Sequence, residues 1–334
     1  MDAVDEPLLT ENTSLKNKYT MFPVEYPDVY EMFKKAQSAY WTADEISFAA
    51  DIPDLEKMSE NEKYFISHVL AFFAASDGIV MENLSERFSK DIPKSEVRAF
   101  YAFQNAMEAI HSETYSLLIE TYVKDEAVKD QLFNAVRDFP AIREKAEWAI
   151  KWIENKEASF AQRLVAFAIV EGLFFSASFC AIFWLRERGL LPGLSFANQL
   201  IARDESMHTD FAILLYSKLH NRLPQSAIHD MIKDAVDIET KFITESIPCS
   251  MIGMNANLMT EYIMYIADRL ISQLGYEKIY HKTNPFAFME KSVTQTKSSF
   301  FEVRVADYNK ANVSFKPGQS AVPTQLAVNL TDDF

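Results

Sequence analysis

The stretch from residue 164 to residue 185 constrains the fold of this chain most, because it is almost wholly apolar and holds a single charge. Its sequence is LVAFAIVEGLFFSASFCAIFWL, in which Glu171 is the charged residue. By length and apolarity the stretch could cross a bilayer. An ionised carboxylate in such a segment is costly unless it is protonated, paired with a cation or bound to a metal. The first question about this protein is therefore which cation faces Glu171.

We predict that this stretch forms the central helix of a soluble bundle and does not span a membrane. A helix that is apolar all round lies either in a membrane or at the centre of a large bundle. Glu171, Ser176 and Ser178 argue against a span, and the similar segment at 64–81 carries Asp77. The chain thus offers no second clean span, and we expect no membrane partner.

Few chain-breaking residues favour long helices. The chain has 7 glycines and 12 prolines in 334 residues, which argues against turn-rich β structure. Apolar periodicity and capping signals predict a short helix capped by Thr42 and Glu45, and longer helices at about 59–90, 94–122, 126–155, 157–188, 195–221, 224–246 and 252–274. The expected fold is all-α, a single antiparallel helical bundle with short connections.

The two ends of the chain lack this helical pattern. Residues 1–40 are polar with scattered aromatic residues and predict an N-terminal arm. From about residue 309 the sequence loses its periodicity and gains Pro317, Gly318 and Pro323, which is typical of a flexible tail. The predicted organisation is an arm at 1–40, a helical domain at 41–308 and a tail at 309–334.

Net charge and cysteine content limit the partners and the compartment. A formal net charge of -15 leaves no strong basic surface for phosphates, so nucleic acid is not expected as a partner. Cys180 and Cys249 are the only cysteines and form no CxxC motif, which favours a reducing compartment. The polar first 20 residues show no signal-peptide pattern. We therefore expect a cytoplasmic protein.

Four of the predicted helices carry acidic residues or histidines where a packed core would hold apolar ones. These residues are Asp77, Glu108, His111, Glu171, Glu205 and His208. In each Glu-x-x-His pair both side chains lie on one helix face and can point at a common site. Four carboxylates and two imidazoles suit iron or manganese, whereas zinc prefers a smaller and often sulfur-containing set. Four clustered negative charges require about two divalent or trivalent cations, so the pattern predicts a dinuclear metal site in a ferritin-like bundle.

Each of these features has a simpler interpretation on its own. A lone Glu-x-x-His is usually a solvated pair, and a lone aspartate in an apolar helix is usually a hydrogen-bonded core residue. Their alternation along four helices favours the metal site. Tyr115 lies four residues after His111 on the same helix face, where it would be a candidate one-electron donor to an oxygen-activating metal pair. The alternative is a core tyrosine whose hydroxyl has a hydrogen-bond partner, and with 14 tyrosines in the chain the spacing by itself favours this alternative.

Five segments, in chain order, carry a resemblance to a known family. They are YFISHVLAFFAASDGIV, MEAIHSETYSLLIETY, VEGLFFSASF, RDESMH and NPFAFME. With them the chain resembles the small, radical-generating subunit of class I ribonucleotide reductase, and it is most similar to the eukaryotic type from about Trp41 to Phe334. The resemblance implies two iron ions, oxo-bridged when oxidised. A manganese–iron pair is less favoured, although it would bind to the same ligands.

The resemblance also implies roles for individual residues. The six acidic and histidine residues named above are the metal ligands, and Tyr115 carries the radical. The resemblance implies that Phe175, Phe179 and Ile201 form the apolar pocket that shelters the radical. The resemblance implies that electrons move towards the surface through Trp41, Asp204 and His111. Tyr308 passes the radical to the large subunit, into which the tail ending in Phe334 docks.

The implied activity is that of ribonucleoside-diphosphate reductase. The reduced metal pair would react with O2, and the oxidised pair would take an electron and a proton from Tyr115. The radical would then pass reversibly to a cysteine of the large catalytic subunit, where ribonucleoside diphosphates are reduced. A homodimer and an electron donor are implied as well. The lack of a glycine-rich phosphate motif in this chain agrees with a nucleotide site elsewhere.

Other functions are compatible with parts of the pattern. A ferritin is usually much shorter and needs no electron conduit, and a desaturase needs a substrate channel but no docking tail. Another dinuclear oxidase would share the fold. A metal-free helical interaction protein would use the buried acids in polar networks. Metal analysis separates this last alternative from the others, because a protein that binds neither iron nor manganese excludes the dinuclear site.

Overall fold

The described part of the chain folds into helices. The computed structural model describes residues 6–10, 20–155 and 157–289, and within these ranges it contains no strand. The all-α class predicted from the sequence is therefore confirmed.

The longer helices follow one another with short connections. In chain order they are α1 (Pro27–Ser38), α2 (Ile52–Lys57), α3 (Glu60–Asn83), α4 (Ser95–Tyr122), α5 (Glu126–Phe133), α6 (Pro140–Glu154), α7 (Phe160–Glu187), α8 (Pro192–Ser217), α9 (Gln225–Lys241) and α10 (Ala256–Gln273). Shorter helical turns lie at Ala43–Glu45, Ala49–Asp51, Ser89–Asp91, Ala135–Asp138 and Cys249–Ile252. Turns of π-helix occupy Leu84–Phe88, Val170–Phe174 inside α7, and Phe242–Ser246.

Capping side chains determine where two core helices begin. The Ser59 hydroxyl accepts a hydrogen bond from the Glu62 N–H at 3.3 Å, and the Glu62 carboxylate accepts one from the Ser59 N–H at 2.9 Å, as predicted for α3. Ser159 and Gln162 form the same reciprocal pair at the start of α7. This second capping box lies outside the prediction, and it moves the start of α7 three residues on from the expected position near 157.

The prediction of one continuous helix at about 126–155 is wrong. The structure divides this segment into α5, the short turn at Ala135–Asp138 and α6. Pro140 is the first residue of α6 and has no N–H to donate to a preceding turn. It also favours an extended conformation in Phe139, whose φ and ψ are -115° and 109°. The proline therefore starts a new helix at this point.

Four helices form the centre of the bundle. α3 packs along α4, and α7 packs along α8, while α4 also contacts α8. α1 covers α4 and α8, and each of α6, α9 and α10 contacts α7. Most of the buried apolar side chains of these helices belong to one contiguous core. α7 therefore lies at the centre, as predicted for residues 164–185.

Length and composition alone would allow two of the described helices, α3 and α7, to cross a membrane. In α7, 94% of the most apolar window is buried inside the protein, and in α3 the share is 56%. Packing against other helices thus accounts for the apolar length of α7, as expected for the core helix of a large bundle.

The ends of the chain are described only in part. Within the predicted arm at 1–40, α1 packs on the bundle and buries Val29 and Ala36. Tyr308 and the tail predicted at 309–334 lie outside the described residues. The division into an arm, a helical domain and a tail stays a prediction.

Candidate metal centre

The four central helices bring the predicted metal ligands together in the core. α3 contributes Asp77, α4 Glu108 and His111, α7 Glu171, and α8 Glu205 and His208. Each of these side chains is at most 3% exposed. Their donor atoms form two groups that share one carboxylate. The Asp77 group is Asp77, Glu108 and His111, and the Glu171 group is Glu108, Glu171, Glu205 and His208. Within each group the donor atoms lie within 4.8 Å of one another, so each group could hold one metal ion.

Glu171 enters the site from an irregular turn of α7. Residues Val170–Phe174 form a π turn, a local widening of the helix that is frequent at functional sites. α7 and α8 approach closely here, because a Cβ atom on Gly172 would lie only 2.9 Å from Thr209 Cγ2. The π turn and the glycine therefore bring Glu171 up to the ligands of α8.

Several donor atoms of the cluster lack hydrogen bonds. Among the described residues no partner is found for Asp77 Oδ2, Glu108 Oε2, Glu171 Oε2, Glu205 Oε1 and His111 Nδ1. His111 Nδ1 and Glu205 Oε1 lie 3.0 Å apart but are not aligned for a hydrogen bond. A buried polar atom without a partner costs about 1–3 kcal/mol. Cations placed between these atoms would satisfy them, so the residues fit a pair of metal ions.

The electrostatics of the cluster also favour bound cations. Burial, followed by the charge of Glu108, raises the pKa of Asp77 well above its usual value. Burial and the charge of Glu205 do the same to the pKa of Glu171. Burial alone would lower the pKa of His208, but Glu108 and Glu205 outweigh it and raise this pKa to about 10. The cluster thus attracts positive charge in the form of protons, which metal cations would replace.

Gln104 is a further polar side chain of the site and lies outside the prediction. Its Nε2 donates to Glu108 Oε1 at 3.2 Å and to Glu171 Oε1 at 3.0 Å, and all three side chains are buried. It thereby connects the candidate ligand Glu108 on α4 with the candidate ligand Glu171 on α7. The signal in the sequence is its spacing, because a residue four positions before Glu108 lies on the same face of α4.

Tyr115 lies on α4 one turn after His111 and is 2% exposed. Its hydroxyl has no hydrogen-bond partner in the part of the chain that the structure describes, which disfavours the alternative of a hydrogen-bonded core tyrosine. Burial raises the pKa of Tyr115 well above its usual value, and the charge of Asp77 raises it further. The phenol therefore stays protonated at neutral pH.

Phe73 lies between Tyr115 and two of the predicted pocket residues. Its ring stacks on Tyr115 with the centroids 4.8 Å apart and an interplanar angle of 8°. It also stacks on Phe179 at 4.9 Å and meets Phe175 edge-on at 5.7 Å. Ile201 is buried on α8, and its place in the pocket stays a prediction. Phe73 itself lies outside the prediction, although its position one turn before the ligand of α3 is a usable signal.

Trp41, Asp204 and His111 form a connected chain of contacts. Trp41 Nε1 donates to Asp204 Oδ2 at 2.7 Å, and the same oxygen lies 3.3 Å from His111 Nε2. The Trp41 ring also stacks on His111 with centroids 5.8 Å apart. Arg203, which the prediction omits, donates to the other oxygen of Asp204 at 2.9 Å. Burial would raise the pKa of Asp204, but Arg203 and the hydrogen bonds outweigh it and lower this pKa, so the carboxylate stays ionised.

A cavity of about 340 Å³ reaches the ligand cluster between α8 and α10. Its lining includes Arg269 and Gln273, which are exposed, and the candidate ligands Glu171 and Glu205, which are buried. The cavity offers a small molecule a route from the surface to the cluster.

Comparison with known families decides what kind of protein carries this site. The family model described as ribonucleotide reductase, small chain, matches residues 18–285, which is more than half of the 334 residues. The chain belongs to this family. The predicted family and enzyme class, the small chain of ribonucleoside-diphosphate reductase, are thereby confirmed.

Individual relatives match over almost the whole chain. The ribonucleoside-diphosphate reductase small subunit of Dictyostelium discoideum is 55% identical over 333 residues, which cover 99% of this chain and 97% of the relative. The small chain of Trypanosoma brucei brucei is 54% identical and covers 96% of this chain and 94% of its own length. The solved structure of the ribonucleotide reductase Rnr4 homodimer from Saccharomyces cerevisiae has a TM-score of 0.78 at 36% identity, over 92% of this chain and 93% of that chain. The predicted ferritin-like helical fold is confirmed by this match.

Proposed function

We propose that this small chain holds a dinuclear iron centre and uses it with O2 to generate a stable tyrosyl radical at Tyr115, which passes to the large catalytic subunit for ribonucleotide reduction. One observation carries the proposal: four carboxylates and two imidazoles from four helices meet in the core, and a buried tyrosine lies one turn from one of the imidazoles. This donor set suits iron.

The chain's own residues would hold and orient the metal ions. The Asp77 group and the Glu171 group would each bind one ion, with Glu108 shared between them. Gln104 donates to one oxygen of Glu108 and one of Glu171, which leaves the other oxygen of each free to face a metal. When bound, the iron pair supplies O2 chemistry and one-electron oxidation.

The surroundings of Tyr115 suit a radical that lasts. Because the phenol is protonated, its oxidation releases a proton together with the electron. Among the carboxylates, Asp77 acts most strongly on this phenol. The rings of Phe73, Phe175 and Phe179 exclude water from this side of the tyrosine.

The contacts of Asp204 support a path for the electron out of the core. One oxygen of Asp204 accepts from Trp41 and approaches His111, while Arg203 holds the other oxygen. Trp41 and a candidate ligand are thus joined through a single carboxylate. The proposed transfer through Tyr308 and the docking of the tail that ends in Phe334 concern residues outside the described ranges.

We propose that the chain works as a homodimer in the cytoplasm, with the large subunit and an electron donor as partners. The structural relative from Saccharomyces cerevisiae is a homodimer. The mutually packed helices α3, α4 and α5 expose large apolar side chains at 40–45%, namely Tyr64, Leu117, Val128 and Phe133. We propose these side chains as candidate contacts of the dimer interface.

The test is electron paramagnetic resonance (EPR) with metal quantification after ferrous iron and O2 are added to the purified chain. We expect two irons per chain, one for each ligand group, a sharp tyrosyl absorption and an organic-radical resonance. Tyr115→Phe should lose both radical signals and keep its iron. A radical that survives in Tyr115→Phe contradicts the assignment of the tyrosine, and a chain that binds neither iron nor manganese contradicts the metal centre.

A further inference from the structure

A buried ion pair lies beside the metal centre and has no part in the chemistry proposed above. Lys145 on α6 and Glu239 on α9 are 2% and 0% exposed, and Lys145 Nζ lies 2.5 Å from Glu239 Oε2. Desolvation of two buried charges usually offsets their attraction, so such a pair adds little stability compared with apolar residues of similar size. Its presence in the core calls for another explanation.

Lys145 reaches the backbone at the end of the π turn that carries Glu171. Lys145 Nζ donates at 2.7 Å to the carbonyl oxygen of Phe174, which is the last residue of the turn. Glu239, in turn, faces the ammonium of Lys145, with Oε2 2.5 Å from Nζ. A π turn interrupts the regular ladder of helix hydrogen bonds, so backbone groups at its end need partners from outside the helix. Lys145 supplies one such partner from α6, and Glu239 on α9 pairs with its ammonium.

Aromatic rings confine the Lys145 ammonium. Nζ lies 3.6 Å from the ring centroid of Phe72 and 4.1 Å from that of Phe242. The Phe72 ring packs edge-on against Phe175, the residue that follows the π turn, at 5.8 Å. A cation held between aromatic faces and a carboxylate has little freedom to move. The carbonyl that it binds is therefore held in place as well.

We propose that Lys145 and Glu239 are positioning residues that fix the end of the π turn and thereby direct the Glu171 carboxylate at the metal pair. The inference rests on the proposed function, because it requires that the cluster binds metal. Glu171 belongs to only one of the two ligand groups. The ion pair should therefore govern the affinity of the Glu171 group and leave that of the Asp77 group unchanged.

The test is a titration of the metal-free, full-length protein with Mn²⁺, followed by the EPR signal of the free ion. The variant is Lys145→Met with Glu239→Leu, which removes both charges and leaves none unpaired in the core. We expect one of the two binding steps to weaken by about 10- to 100-fold, as is usual when a group that orients a metal ligand is lost. The other step should keep its wild-type affinity.

Lys94→Met is the matched control. Lys94 is also a buried lysine, and its Nζ donates to the carbonyl oxygen of Thr10 at 2.8 Å and to the carboxylate of Glu25 at 2.9 Å. It precedes α4 and makes these contacts away from the π turn. This variant should bind Mn²⁺ in two steps of wild-type affinity, which shows that losing a buried lysine is not enough to weaken the site.

Wild-type affinity in both steps of the double variant would overturn the inference and leave the proposed function standing. If the double variant does not fold, the same titration is carried out on Glu239→Gln. This substitution keeps the size of the side chain but removes its negative charge, which weakens its interaction with the Lys145 ammonium. A weakened single step then supports the positioning role, and unchanged steps refute it. A wild-type protein that binds neither Mn²⁺ nor Fe²⁺ would refute the proposed function itself, and the inference with it.

Discussion

Replacing Gly172 by alanine tests how closely α7 and α8 must approach to form the metal centre. Gly172 follows Glu171 in the chain, and Thr209 follows His208. A Cβ atom at position 172 would lie 2.9 Å from Thr209 Cγ2 and 3.2 Å from its Oγ1. Thr209 cannot rotate away without losing the hydrogen bond that its hydroxyl donates to the Glu205 carbonyl oxygen at 2.9 Å. Either the helices separate or this bond breaks.

The size of the effect follows from these contacts. Overpacking of a core costs about 1–3 kcal/mol, while replacing glycine by alanine in a helix gains about 0.5–1 kcal/mol. We therefore expect Gly172→Ala to lower the free energy of unfolding by about 1–2 kcal/mol. Metal affinity should fall too, because the two ligands that neighbour the contact, Glu171 and His208, are displaced from each other.

Urea denaturation of the metal-free protein measures the change in stability, and Fe²⁺ titration measures the change in affinity. Gly78→Ala is the matched control, because Gly78 also follows a candidate ligand, Asp77, but an added Cβ there meets no described atom within 4 Å. It should raise the stability by about 0.5–1 kcal/mol.

A double-mutant cycle isolates the steric contact. Thr209→Ala removes the two atoms that the new Cβ would strike, at the cost of about 1 kcal/mol for the lost hydrogen bond. Because the overpacking disappears, the variant with both Gly172→Ala and Thr209→Ala should then be about 1–3 kcal/mol more stable than the sum of the single effects predicts. Effects that add to within about 0.5 kcal/mol would refute the reasoning.

The electron conduit, the tail and the buried ion pair can each be tested by one change. Trp41→Phe removes the donor to Asp204 Oδ2, so deoxyribonucleotide formation with the large subunit should be lost while metal content and radical stay normal; unchanged turnover counts against the conduit. Removing the terminal segment that ends in Phe334 should abolish activity and preserve the radical, and full activity would contradict a docking role. Burial, opposed by Glu239, lowers the pKa of Lys145 from 10.5 to about 8. Between these pH values the unfolded chain binds more protons than the folded chain, so this contribution to stability rises with pH. In urea denaturation the wild type should gain stability from pH 8 to pH 10 relative to Lys145→Met with Glu239→Leu, and equal pH profiles would speak against this linkage.

Local spacing made much of the site accessible to prediction. The helical repeat alone places Glu108 and His111 on one face of α4, and the capping box of Ser59 and Glu62 involves residues within one turn. Pro140 shows that local signals can also be missed, since the break it causes in the helix expected at 126–155 depends only on its own ring. Gln104 is similar, because its spacing from Glu108 is a local signal as well.

The contacts between helices that support the site could not be predicted from local spacing. Nothing in the sequence near Lys145 indicates that it meets Glu239 and the end of a π turn in α7. Nor does the pattern around Phe73 indicate that its ring stacks on Tyr115. Each of these contacts joins segments that are distant in the chain, and each depends on the rotation of one helix about its axis relative to another.

By itself the sequence determined the all-α class, the helices that carry the candidate ligands and the residues that share a helix face. These features depend on composition and on interactions within a turn or two of helix. Only the tertiary structure decided that Glu108 belongs to both ligand groups, that Glu171 is presented by a π turn, and that a buried ion pair holds the end of this turn. Such arrangements arise because a close-packed core sets the rotation and shift of every helix at once, which no local pattern specifies.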